Sequence, residues 1–144
     1  MHAKPFGIVE VLAKIAEPQV PEPEILPKDA LVLDLPTPPS VNRTSGDRLG
    51  NEHPKVRQWR RSADAHLLYT RQSNRLRLIG GLVTIDIWWD IQMVGDIDNR
   101  IKHLLDYLQR LNVITNDSRC RRLLVDYGTA PDGCRVRLRP WDWP

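Results

Sequence analysis

Read as apolar and polar positions, the chain falls into six regular segments behind a polar leader. ALVLDLP (30–36) alternates and stops at Pro36, which predicts a short first strand, and TPPSVNR (37–43) follows as a proline-shaped turn. HPKVRQWRRSADAHLLYTRQSNR (53–75) predicts a helix with Val56, Trp59, Ala63, Leu67 and Leu68 along one buried stripe. Gly80 and Gly81 break that pattern. LVTIDIWWDIQMV (82–94) then alternates Leu82, Thr84, Asp86 and Trp88 against Val83, Ile85 and Ile87, the mark of a strand.

From Asp98 the period changes to that of a helix, with Ile101, Leu104, Leu105, Leu108 and Leu111 on one side and an end near Asn112. VITNDS (113–118) reads as a turn. CRRLLVDYG (120–128) and CRVRLRP (134–140) read as two strands joined by TAPDG. The order β-α-β-α-β-β predicts an α+β domain, a small mixed sheet with helices packed on it. That domain is expected over residues 29–144. Residues 1–28 are an appendage: FGIVEVLAKIAE predicts a short helix with Ile8, Val11, Leu12 and Ile15 on one face, and EPQVPEPEILPK an extended linker.

Composition narrows the class of molecule. At 144 residues, with 41% hydrophobic and 27% charged side chains, the chain can bury a core without staples. No apolar run reaches membrane-spanning length, so no membrane partner is expected. The start lacks the pattern of a secretory signal, which makes the cytoplasm the expected compartment and Cys120 and Cys134 reduced thiols. Neither cysteine has the neighbours of a zinc site.

The net charge of +3 hides an uneven distribution. Residues 43–77 carry nine basic side chains against three acids. That excess fits a polyanionic partner such as nucleic acid, or else a solvated helix face. Lys55, Arg57, Arg60 and Arg61 are the expected phosphate contacts on the helix, and such contacts make binding fall steeply with salt. Trp59 lies on the apolar stripe and is expected in the core. Trp88 and Trp89 point to opposite sides of their strand, one to the core and one to a dimer contact. The histidines have no acid partner at useful spacing.

The candidate chemistry lies in GDIDNRIKHLLD. Asp96 is expected at the end of its strand and Asp98 at the helix N-cap, a position that by itself explains an aspartate. Lys102 and Asp106 follow at steps of four, a spacing that also suits a salt-bridge ladder. Asp117 precedes the next strand. If that strand pairs beside 82–94, Asp117 is expected back at the same end of the sheet. Clustered carboxylates without thiol or imidazole suit a hard cation, Mg²⁺ or Mn²⁺, able to take a phosphate oxygen. Lys102 would then meet charge building on phosphate.

GDIDNRIKHLLDYLQRLNVITNDSR resembles the signature of the RusA family of Holliday junction resolvases, and LPTPPSVNR resembles that family's turn after the first strand, with Asn42 and Arg43 in its polar positions. The likeness covers roughly residues 30–140. It implies a RusA-like fold and a homodimeric, magnesium-dependent endonuclease that cuts four-way DNA junctions symmetrically. It also implies metal binding by Asp96, Asp98 and Asp117 and an essential lysine at Lys102, with Asn99 and Asp106 in supporting positions. In one place the chain departs from the pattern: Asn116 stands where the family often has a second acid, which lowers the negative charge of the site. Two other readings compete, a non-catalytic DNA-binding module on the same fold and a phosphatase with an aspartyl nucleophile. The second needs a larger sheet than this chain has room for.

Overall fold

The computed structural model describes residues 30–43 and 52–142, and the readings of residues 1–29 lie outside them. The elements run β1 (Leu31–Pro36), α1 (Pro54–Tyr69), β2 (Val83–Asp90), α2 (Ile101–Arg110), β3 (Cys120–Gly128) and β4 (Gly133–Pro140). The strands make one mixed sheet in the order β1-β4-β2-β3, antiparallel throughout except that β2 and β3 run parallel. The molecule is α+β, with two helices on a small sheet.

Both helices cover one face. Leu31, Leu33 and Leu35 of β1, Val83, Ile85, Ile87 and Trp89 of β2, and Cys134, Val136 and Leu138 of β4 point into it. Trp59, Ala63 and Leu67 of α1 and Leu104, Tyr107 and Leu108 of α2 meet them there. Trp59 is in the core as expected, packed edge to face on Tyr107 with ring centroids 4.9 Å apart, and its indole N–H is donated to the Pro36 carbonyl at 3.0 Å.

Strand β2 is interior to the sheet, between β4 and β3, and its residues 83–89 are buried on both faces. The reason is the neighbouring strand. Asp86 accepts from Arg137 Nε at 2.9 Å and Nη2 at 2.6 Å, and the Arg137 guanidinium lies 5.4 Å over the Trp88 ring. The basic alternation of β4 thus covers the polar alternation of β2. Strand β2 also stops at Asp90, four residues before the expected end.

Helix α1 is shorter than the pattern 53–75. His53 caps its start, Nδ1 accepting from the Lys55 amide, and Pro54 fills the first turn, where a missing N–H costs nothing. Arg71 takes a left-handed backbone, φ 61°, and ends the helix. The break lets Gln72 clip onto β1: its side chain accepts from Asp34 N at 2.7 Å and donates to Asp34 O at 2.9 Å. Leu68, placed on the buried stripe by the sequence, is exposed.

Strand β2 lies between β3 and β4, so Cys120 and Cys134 do not meet, and both are free thiols. Burial pushes both thiols above the usual range. Among the described residues no helix is long and apolar enough to cross a membrane.

Gly133 begins β4 at φ +120°, and a Cβ there would stand 2.2 Å from Thr37 Oγ1 and 2.7 Å from Thr37 N. Gly133→Ala is expected to cost roughly 2–4 kcal/mol, since strain and overlap with backbone add. Gly81→Ala, also at positive φ but facing open space, should cost only about 1–2 kcal/mol. Chemical denaturation of the two variants measures the difference.

Candidate functional site

The segment between β2 and α2 carries the acidic motif, and it is pinned at several points. Past Asp90, Ile91 N still pairs with the end of β3, donating to Gly128 O at 3.1 Å, and the chain then turns, with Met93 N donating to Asp90 O at 2.8 Å. Trp89 Nε1 donates to Ile97 O at 2.9 Å, and the Tyr127 hydroxyl to Gly95 O at 3.3 Å. Gly95 adopts φ 121°, a conformation that favours glycine. The motif therefore sits firmly at the carboxyl end of β2.

The proline turn docks on the same loop. Val41 N donates to Asn99 O at 2.8 Å, and the Arg100 guanidinium donates to Pro38 O and, at 3.4 Å, to Val94 O. Two motifs more than fifty residues apart in the chain thus line one cleft of about 480 Å³. Ser40, Asn42 and Lys55 line it together with Asp96, Asn99 and Arg100. Asn99 Nδ2 donates to Asp96 Oδ2 at 2.9 Å, which holds that carboxylate in place.

Other expected positions differ. Asp98 is not a helix cap: α2 begins at Ile101 with Arg100 as its N-cap residue and no side-chain cap, and Asp98 offers Ile101 only its backbone carbonyl, at 3.3 Å. The ten-residue excursion between Asp90 and Ile101 replaces the direct strand-to-helix step that the motif suggested. Lys102 Nζ stands 3.5 Å from Asp106 Oδ2 with both side chains largely in solvent, the ladder rung that the i,i+4 spacing allowed. Such exposed pairs contribute a few tenths of a kcal/mol.

Asp117 is at the far end of the sheet. Strand β3 does pair beside β2, but in parallel, with Val83 level with Cys120 and Asp90 level with Gly128. Asp117 precedes the start of β3, whereas Asp96 and Asp98 follow the finish of β2. The strands between them span roughly 25 Å. Among the described residues no three His, Cys, Asp or Glu side chains group to hold a metal ion. Asn116 caps the short turn ahead of β3, its Oδ1 accepting from Ser118 N at 3.0 Å.

Of the basic candidates, Lys55, Arg57 and Arg61 are exposed on α1, while Arg60 is held by Glu52 through two bonds of 2.5 Å. The side chain of Arg43 lies outside the described residues. Arg100 was not among the sequence candidates. Its arginine looks like any first-turn residue until the turn it grips is in place. His66, expected to lack an acid partner, meets Asp132 at 3.0 Å across 66 residues of chain, a pairing no local spacing reveals.

No protein-family model matches the sequence, and no curated protein matches it.

Proposed function

We propose that the protein is a magnesium-dependent, structure-specific endonuclease that resolves four-way DNA junctions by paired nicks, acting as a homodimer with a RusA-like fold. The observation that carries this reading is the docking of the PPSVNR turn on the GDIDN loop. The two stretches that resemble the resolvase signature share one cleft, although nothing in the chain's local spacing requires them to meet.

The donor set suits the ion. Asp96 and Asp98 offer oxygen alone, and magnesium is commonly held by one or two carboxylates while it keeps its waters and takes substrate phosphate. Asp117 would join them only from a second copy, because its own strand carries it to the other end of the sheet. Bound there, the ion supplies Lewis-acid polarisation of a phosphate oxygen and an acidified water.

The chain's own residues do the remaining work. Lys55 and Arg100 set positive charge on the lining of the cleft, where a phosphodiester would lie. Asn99 orients Asp96. Lys102 exchanges its exposed contact with Asp106 for the charge that builds on phosphate. Arg57 and Arg61 contact phosphates of the flanking arms, and Asn42 approaches from the turn. A non-catalytic binding module has no use for the Asp96 carboxylate in a phosphate cleft, since it weakens binding.

The test uses the full-length protein with a labelled synthetic four-way junction and a linear duplex of the same sequence. Symmetric nicks in the junction alone, dependent on Mg²⁺, are expected. Junction binding without nicks in Mg²⁺ or Mn²⁺ would replace this reading with the binding module.

A further inference from the structure

Both helices pack on one face of the sheet, and the other face has no layer over it among the described residues. Charges stand on that second face in rows that cross the strands. In the middle rows they are matched: Asp34 accepts from Arg135 Nε at 2.6 Å, and Asp86 accepts both bonds of Arg137 on Oδ2. In the row at the start of β2 they are not. Arg139 and Arg122 stand there on either side of Thr84, with no acid between them. Arg139 is 3.6 Å from Asp86 Oδ2, an oxygen already taken by Arg137, and its Nε donates no hydrogen bond. Arg122 is exposed and has no ion pair among the described residues.

Beside this row the face is partly apolar. Leu124 is 47% exposed and level with Asp86, and with Trp88 it lines a depression of about 240 Å³, roomy enough for one aliphatic side chain. Asp126 stands one row farther on, level with Trp88. A carboxylate is therefore attracted only at the Arg122 and Arg139 end.

The sequence that enters at this row has the complementary pattern. Ala30 precedes Leu31, which is level with Leu138, so the chain reaches the sheet beside Arg139. Residues 17–29, EPQVPEPEILPKD, hold four acids against one lysine, with Ile25 and Leu26 among them. Arg122 is three strands away from β1, about 15 Å across the sheet. A chain spans at most about 3.5 Å per residue. Glu24, six residues before Ala30, can thus reach Arg122, and Ile25 can reach the depression.

We propose that residues 17–29 dock on the uncovered face of their own sheet, with Asp29 at Arg139, Glu24 at Arg122, and Ile25 in the depression beside Leu124. Charge complementarity and the point of entry select this occupant. Docking removes Leu124 from water and gives Arg122 the partner it lacks. The contact does not depend on the chemistry of the acidic cleft, which lies at the other end of β2.

A photo-cross-linker in the full chain tests the contact. With p-benzoylphenylalanine in place of Ile25, irradiation at low salt is expected to link residue 25 to residues 122–126 or 135–139 of the same chain, as mapped by mass spectrometry. The yield at those sites should fall at least about threefold in roughly 0.5 M salt, which screens surface charges within a few ångströms. Glu24→Arg and Arg122→Glu should each lower it by a similar factor, and the exchange E24R/R122E should recover it. Circular dichroism checks the fold of each chain, and Glu24→Arg with the salt series carries the test should Arg122→Glu misfold. Links spread as often over the helices as over this face, or a yield indifferent to salt and to Glu24→Arg, would overturn the docking. So would a folded E24R/R122E chain that fails to recover the yield. Links found only in a species of twice the mass would also overturn it, and would assign the face to the acidic segment of another copy.

Discussion

Asp96→Asn is expected to lower metal-dependent junction nicking by at least about a hundredfold, the scale on which one charged group in a reacting site is felt, while junction binding stays equal or tightens. The carboxylate lines the cleft between the proline turn and the acidic loop, where its Oδ2 accepts a 2.9 Å bond from Asn99. The amide has the same shape and can still accept that bond, so the loop keeps its path. That path is held by other groups as well, the Trp89 indole on Ile97 O and the Val41 amide on Asn99 O. What the variant removes is negative charge. A cation held there loses a ligand, whereas a phosphate loses a repulsive neighbour. Binding and nicking should therefore move apart. Titration of binding by fluorescence anisotropy beside nicking on a gel measures both. Nicking that survives the substitution would rule out the cleft as the reacting site, and a parallel fall in binding and nicking would point to a misfolded loop instead.

The same comparison at Lys102 separates site from surface. Its contact with Asp106 is exposed, so Lys102→Ala should change stability by less than about 1 kcal/mol. A large loss of nicking on so small a structural change would then have only the phosphate to explain it.

The six elements were legible in the sequence because each rests on a local period: Leu31, Leu33 and Leu35 on two, Leu104 and Leu108 on four. Their ends were less so, for reasons outside the local pattern. Helix propensity continues past Tyr69, but Gln72 is drawn to the Asp34 backbone, and a left-handed Arg71 is what allows it. Asp98 has the chemistry of an N-cap and lost the position because the loop is anchored on Trp89 and the proline turn, which delays the helix to Ile101. The meeting of the two motifs was visible only as a family likeness. The position of Asp117 depended on strand direction. A strand, a helix and a strand in succession can return the chain to either edge, and a parallel return sends the residue before the second strand to the opposite end from the residue after the first. No residue type near Asp117 records that choice.

Trp89 is where fold and site share one side chain, and its substitutions should separate the two. It is fully buried at the carboxyl end of β2, and its indole N–H holds Ile97 O in the acidic loop. Trp89→Ala removes the largest fully buried side chain of the sheet and should cost about 3–5 kcal/mol. Set against a typical domain stability of about 5–15 kcal/mol, that brings the protein near unfolding at ordinary temperature. Trp89→Phe keeps most of the ring volume but leaves the Ile97 carbonyl without its donor, at a cost of about 1–3 kcal/mol. The phenylalanine variant should thus remain folded, by urea denaturation, with an acidic loop no longer fixed at Ile97. Placement of a reacting group is more sensitive than folding to such loosening, and a displacement of about 1 Å can lower a rate by about a hundredfold. Junction nicking should accordingly fall in Trp89→Phe by more than the unfolded fraction accounts for, and stay low when the temperature is reduced to restore full folding. A variant with wild-type nicking would mean that the loop takes its working shape from the proline turn alone, with Val41 and Arg100 sufficient to hold it.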